Sequence, residues 1–423
     1  MKTHLIILLA AASCFVRNAA LADDFHYKNI LIGERASGMG GAFSAISDDP
    51  SGLYHNPAGI VFSQENYFSL SANAFSTTTE TYTNVAGGQN YTYKSQSLVP
   101  VFFGMTQSLG KHKYGFAVIV PNSELNDQED TLTNLSQANG AVNTFRRRFF
   151  KQDMTYLAGP GFATELSKKV TIGISIFGVF KTLKAIDHQL MLDNPLSTGT
   201  YFEQYTTQTK TTYGLLPKLG LQFMPTPRIS VGLTAAVPYT LSGSGKVTTL
   251  KSAEDASGNL VTPNGTFTND KTLSEAADQG YKIPGALQLS LGTALFFSKT
   301  YLLTGQVDYF GSASSPGFNP QSTLNLSLGQ EVYLSDVFAL RSGVFTNNAN
   351  TPAVVVGRTN QLTHVNQLGG TLAGALCKPG SSLTLGLSYA AGTGQGQALS
   401  GSTAIQDVSL KTFAVYLTGS YQL

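Results

Sequence analysis

The chain predicts an all-β fold: a fourteen-strand antiparallel transmembrane β-barrel with an N-terminal hatch, or plug, inside its lumen. Three observations carry this. Only 12% of the 423 residues are charged, about half the share of a soluble globular chain. From about residue 65 the sequence alternates between apolar and polar side chains, the period of a strand with one wet face. The links between the alternating stretches are in turn short and long, as in a barrel with short turns at one rim and loops at the other.

The first residues form a leader. Met1-Lys2-Thr3-His4 precedes an uncharged run, Leu5 to Ala12, and Ala20-Leu21-Ala22 supplies small residues before Asp23. Residues 1–22 are therefore read as a signal peptide, 23–64 as the hatch and 65–423 as the barrel. Ala12-Ser13-Cys14 also permits lipoprotein processing at Cys14, although Ala11 stands where leucine is usual. Cleavage after Ala22 leaves Cys377 alone, so no internal disulfide is expected. No later run reaches the roughly 18 apolar residues of a spanning helix, which leaves strands to cross the membrane.

In the strands, Phe68, Leu70, Ala72 and Ala74 alternate with Tyr67, Ser69, Ser71 and Asn73. Ile172, Ile174 and Ile176 alternate with Thr171, Gly173 and Ser175, and Leu383, Leu385 and Leu387 with Ser382, Thr384 and Gly386. Short links fall near residues 110–113, 166–169, 225–228, 298–299, 334–336 and 378–381. Long ones fall at 77–96, 122–152, 187–211, 243–281, 312–321, 347–368 and 392–407. Six short and seven long links join fourteen strands and place both chain ends at the short-turn rim. The last strand runs to Leu423, with Tyr421 on the same parity, where outer-membrane barrels usually finish on phenylalanine. A secreted β-sandwich or repeat adhesin would also alternate, but it has no reason to alternate its link lengths, and no repeat of fixed length is visible.

A barrel of fourteen strands is wider than side chains alone can fill, so an open one would leak. Residues 23–64 are the piece not claimed by strands. "ASGMGGAFSAISDDPSGLYHNPAG", residues 36–59, packs small residues suited to close backbone contact in a confined lumen. Asp49 before Pro50 has the pattern of an N-cap and first helical residue, predicting a short helix over residues 49–55 that stops at Asn56-Pro57. The candidate gating residues are Gly38, Gly40, Gly41, Phe43, Asp49, Pro50, Asn56, Pro57 and Ala58.

Residues 34–60, "ERASGMGGAFSAISDDPSGLYHNPAGI", resemble the N-terminal hatch signature of the long-chain fatty-acid outer-membrane transporter family, the FadL/TodX type. The matching residues are Gly38, Gly40-Gly41-Ala42-Phe43, Asp48-Asp49-Pro50 and Asn56-Pro57-Ala58-Gly59. Weaker echoes lie in "YLAGPGFATELSKKVTIGIS", "YKIPGALQLSLG" and "FALRSGVF", so the resemblance covers nearly the whole mature chain. It implies passive transport of hydrophobic molecules, long-chain fatty acids or related apolar compounds, across the bacterial outer membrane. A kinked strand in that family opens a lateral gap into the bilayer. The alternative is a plugged barrel with a structural or adhesive role.

Other chemistry finds little support. A net charge of +2 without a concentrated basic face argues against nucleic acid. Gly38 to Gly41 fails the G-x-G-x-x-G pattern at Phe43, and "LSGSGKV" fails the Walker pattern at Thr240 and Val247. The six histidines are scattered and there is no H-E-x-x-H, so neither metal nor cofactor is expected. A membrane-embedded lipid hydrolase would need a serine paired with a histidine, and no G-x-S-x-G elbow exists; the chain is read as no enzyme.

"FRRRFFKQ", residues 145–152, is the densest charge. Arg146, Arg147 and Arg148 beside Phe145, Phe149 and Phe150 suit either the outer interface, meeting lipopolysaccharide phosphates, or a receptor for a ligand carboxylate. The expected partners are a hydrophobic small molecule, outer-membrane lipid and lipopolysaccharide, and the barrel assembly machinery, with the protein a monomer.

Overall fold

The computed structural model describes residues 25–86, 88–133, 144–192, 201–254, 272–278, 283–314, 319–359, 361–398 and 403–422. The leader lies outside the described residues. Among them, sixteen strand segments form one antiparallel sheet: β1 (Tyr67–Ala86), β2 (Gln89–Leu109), β3 (His112–Thr133), β4 (Thr144–Ser167), β5 (Val170–Leu192), β6 (Tyr201–Thr226), β7 (Ile229–Ala236), β8 (Tyr239–Glu254), β9 (Thr272–Asp278), β10 (Gln288–Phe296), β11 (Tyr301–Phe310), β12 (Thr323–Ser335), β13 (Phe338–Asn347), β14 (His364–Lys378), β15 (Ser381–Gly396) and β16 (Gln406–Gln422).

These segments make fourteen staves. β7 pairs with the lower part of β6 and β8 with its upper part, so the two are one stave interrupted at Val237-Pro238. Likewise β10 pairs with β7 and β9 with β8, giving the next stave. The ring closes where β1 pairs with β16, from Tyr67↔Gln422 to Tyr82↔Val408. Closure joins the first stave to the last, so the sheet presents no open end of the kind hydrocarbon would not tolerate.

Alternation sorts the side chains as the sequence predicts. Ile172, Ile174 and Ile176 are 36%, 38% and 44% exposed on the outside, whereas Thr171 and Ser175 are buried inside. Leu383, Leu385 and Leu387 face out and Thr384 in. The apolar band on the outside and the polar lining inside invert the pattern of a soluble protein.

The links differ from expectation. Residues 77–96 are not a loop, since β1 continues to Ala86 and β2 resumes at Gln89. β3, β4, β5, β6, β8, β9, β14, β15 and β16 likewise extend into stretches read as loops, β3 to Thr133 and β4 from Thr144 within 122–152. A bilayer needs only about 9–11 residues of strand, and hydrophobic alternation fades where the wall leaves the lipid. Backbone pairing does not depend on that contrast. It continues upward through residues such as Thr81, whose hydroxyl meets Thr92 at 3.2 Å.

Candidate functional site: the seated N-terminal segment and the cavity above it

Residues 25–63 lie inside the ring. Glu34–Gly38 form a short helix, α1, and Gly40 and Gly41 adopt positive φ (63° and 79°), which lets the chain reverse against the wall. A second short helix, α2, spans Gly52–His55. It begins later than the sequence suggests: its N-cap is Ser51, while the Asp49 carboxylate accepts from the Ser51 amide at 2.7 Å and its hydroxyl at 2.5 Å. The aspartate shapes the turn before the helix, a common competing use of this side chain. Asn56 then leaves the helix in an extended conformation, and a 3₁₀ helix follows over Pro57–Phe62.

The wall receives this segment with glycine. Four cross-strand pairs, Gly115↔Gly161, Gly173↔Gly220, Gly232↔Gly292 and Gly329↔Gly343, sit where the segment touches the ring. A Cβ on Gly173 would lie 2.4 Å from the Pro57 carbonyl carbon, and one on Gly220 would lie 2.1 Å from Asn56 Oδ1. On Gly232 it would lie 2.0 Å from the Ser44 oxygen, and on Gly343 2.3 Å from the Met39 carbonyl carbon. At Gly161 the obstacle is the Leu53 side chain, at 2.4 Å. The small residues read in the segment thus meet matching small residues in the wall, and backbone packs on backbone.

Polar groups complete the seat. Asn56 Nδ2 donates to the Ser44 carbonyl at 2.8 Å and across to the wall carbonyl of Leu221 at 3.1 Å; its Oδ1 accepts from the Ala58 amide at 3.1 Å. The Gln306 side-chain oxygen accepts from the amides of Phe43 and Ser44, both at 2.9 Å. Gln222 and Ser230 donate to the Ala45 carbonyl, Thr171 to Ala58, Ser175 to Leu53 and Thr371 to Gly38. A segment with so little regular structure would otherwise strand its backbone groups in a buried place.

Opposite Asn56 lies a buried ionic cluster that sequence reasoning missed. Arg341 on β13 donates to Glu331 on β12 (2.7 Å) and to Glu34 of α1 (3.2 Å), while Arg35 reaches Glu331 (3.1 Å) and Asp48 (2.5 Å). Ser382 and Thr384 donate to Glu34 as well. Glu34, Glu331 and Arg341 are 4%, 1% and 2% exposed. A signal was present: Glu34-Arg35 open the hatch motif and Arg341 sits in "FALRSGVF". Their meeting joins positions about 300 residues apart, which no local pattern encodes.

The same burial perturbs the segment's titrating groups. It pushes the Asp49 carboxyl up to about 6, partly offset by Ser51, and pulls the His55 imidazole down to about 4, against the bond that ring makes to the Ile32 carbonyl at 2.8 Å.

Above the seat is a cavity of about 320 Å³. Ile30, Ile32 and Tyr54 form its floor, and Leu157, Val179 and Leu216 part of its wall. Lys28, Lys181, Lys210 and Lys218 also line it, against one acidic lining residue, Asp308, which pairs with Lys28 at 2.8 Å. The Lys218 ammonium donates to the Tyr54 carbonyl and lies 4.5 Å from that ring; it has no ion-pair partner among the described residues.

The cavity reaches Pro121-Asn122, where β3 departs from its neighbour. Pairing of β2 with β3 ends at Phe102↔Ile119, and a shift against β4 between Ile119 and Asn122 marks a bulge at Val120-Pro121. Higher up, side chains replace the backbone ladder. Asn126 donates to the Lys94 carbonyl and Gln128 to that of Thr92, the latter at 2.6 Å.

The arginine cluster is divided by strand alternation. Arg146 and Arg148 face outward, Arg148 toward Asp127 and Glu129, and only Arg147 turns inward. There it makes a two-pronged contact with Asp187, at 2.8 and 3.1 Å, and lies over the Phe149 ring at 4.9 Å.

Fold and seat define a class: a closed fourteen-strand barrel with its own N-terminal segment seated inside. Solved structures share the barrel fold. The toluene transporter TodX of Pseudomonas putida is similar with a TM-score of 0.65 and 16% identity over 93% of this chain and 98% of that one. A FadL homologue from Pseudomonas aeruginosa gives 0.62 and 12% over 94% and 99%, and the Ralstonia pickettii toluene transporter TbuX 0.59 and 14% over 93% and 98%. No protein-family profile matches the sequence, and neither does any characterised protein in a sequence search.

Proposed function

We propose that this protein is a passive outer-membrane channel for hydrophobic molecules, with residues 25–63 as its hatch. The observation that carries the reading is the cavity: it lies over the seated segment, is lined by apolar side chains interleaved with polar ones, and runs to the place where β3 leaves β2. A solute that descends to the hatch finds the axial route occupied, and the break at Pro121 gives it a lateral one, into lipid. Fold similarity to the toluene transporters supports the transport class, with no catalytic role assigned.

The Lys218 ammonium, which has no ion-pair partner among the described residues, favours an amphiphile with an anionic head, a long-chain fatty acid, over a pure hydrocarbon. Lys218 is the residue assigned to the carboxylate, because its charge has no acidic partner within ion-pair distance, whereas Arg147 is already committed to Asp187. Cells expressing the protein should take up labelled oleate faster than vector controls. Lys218→Met should weaken oleate uptake about tenfold, corresponding to the ~1.5 kcal/mol of one charge-assisted hydrogen bond, and leave toluene unchanged. Equal loss of both ligands would remove the head-group assignment; no uptake by the native protein would remove the transport reading.

A further inference from the structure

A second stretch of wall lacks its backbone ladder, on staves far from β3. Between Ala236↔Gln288 and Gly245↔Asp278, no backbone rung joins residues 237–240 to residues 283–287 among the described residues. Prolines bear on this: Pro238 and Pro284 stand on the two facing staves, and neither has an N–H to give. The staves stay in contact. The Thr240 hydroxyl accepts from the Ile283 amide at 2.9 Å, and a Cβ on Gly285 would meet the Pro238 carbonyl oxygen at 3.5 Å.

The seam has one face on the cavity and one on the lipid side. Leu216, Ala236, Pro238, Ile283, Pro284 and Ala286 all line the cavity. Leu215, Tyr239, Leu241 and Leu287 are exposed on the outer face. Pro238 lies nine residues beyond the first residue of its stave, as Pro121 does on β3, so both breaks sit at one height. At ~3.3 Å per residue and a tilt of about 40°, that height is roughly 20–25 Å above the short-turn rim, in the upper part of the apolar band.

We infer that this seam is a second lateral door between the cavity and the bilayer, held shut by Ile283 and passing apolar solutes. It rests on the transport reading above. Its opening breaks the two hydrogen bonds between the Thr240 hydroxyl and the Ile283 backbone, at 2.9 and 3.5 Å, and van der Waals packing, whereas parting two fully laddered staves would break a run of backbone hydrogen bonds.

The test locks the seam in a Cys377→Ser background, where Thr240→Cys with Ile283→Cys bridges it. Uptake of labelled toluene by cells is measured oxidised and after dithiothreitol, with heat-modifiable gel mobility confirming a folded barrel. Oxidising the seam pair should lower toluene uptake at least threefold, with recovery on reduction. Ile283→Ala, which needs no bridge to form, should at least double it. Undiminished uptake by the oxidised seam variant, or no gain from Ile283→Ala, overturns the second door while leaving transport through the β2–β3 break intact. Native protein that takes up no more toluene or oleate than vector controls overturns the transport reading itself.

Discussion

Gly173→Ala adds one methyl group to the wall at a place where the N-terminal segment is tightly held. Its Cβ would lie 2.4 Å from the Pro57 carbonyl carbon and 2.6 Å from the Ala58 nitrogen. Ordinary contact is about 3.4 Å or more, so the segment must retreat by roughly 1 Å. It cannot do so freely, because Asn56 is tied to Leu221 at 3.1 Å and Ala58 to Thr171 at 3.0 Å. Overpacking of this kind costs about 1–3 kcal/mol, and each wall contact surrendered adds about 1 kcal/mol. Gly178→Ala, on the same strand but with no atom nearer than 3.5 Å, is the control and should be neutral or slightly stabilising. Denaturant unfolding in detergent gives the stability difference, and single-channel conductance reports whether the segment still seals the lumen. Gly173→Ala should unfold at lower denaturant and show conducting events that Gly178→Ala does not. Indistinguishable behaviour of the two variants in both assays would refute the view that paired wall glycines seat the segment.

Three further outcomes are expected. Ile174→Arg, on the lipid face, should destabilise the barrel by about 2–4 kcal/mol in bilayer refolding, against little change for Ile174→Leu; its neighbour Ser175 is no neutral comparison, since its hydroxyl bonds Leu53 at 2.8 Å. Arg341→Met strips the buried Glu34 and Glu331 carboxylates of their shared guanidinium and should cost about 3–5 kcal/mol in the same refolding assay, with part of the stability regained when Glu331→Leu is added, since Glu34 stays unpaired with arginine. His55 is held near 4 against 6.5 for the free side chain, so its contribution is complete above pH 6.5 and is lost as pH falls toward 4. His55→Gln should flatten the loss of stability over that window, a difference on the order of 2 kcal/mol near pH 4.5 by pH-dependent unfolding. Asp49, raised to about 6, acts oppositely in both proteins: its contribution is lost as pH rises through that value, and so cancels in the comparison.

The sequence by itself determined the barrel. Alternation of side chains at Ile172 to Ile176 or Leu383 to Leu387 needs only neighbours in the chain, because a strand turns successive residues to opposite faces whatever it pairs with. The small-residue segment and its Asn56-Pro57 stop were legible for the same reason, being local backbone chemistry. Strand length above the membrane was not, since Thr77 to Thr83 carry no apolar contrast there and are held by rungs to β2 and β16. The direction of Arg147 against Arg146 follows from parity, but its commitment to Asp187 depends on the register of β4 with β5. Only tertiary structure could decide that Glu34 and Arg35 meet Glu331 and Arg341, that Gly173 faces Gly220 beneath Pro57, or that Pro238 and Pro284 fall on facing staves. Each is a contact between positions distant in the chain, made when the sheet closes on itself. Closure sets which inward-facing residues share a level of the lumen, and that shared level is the site.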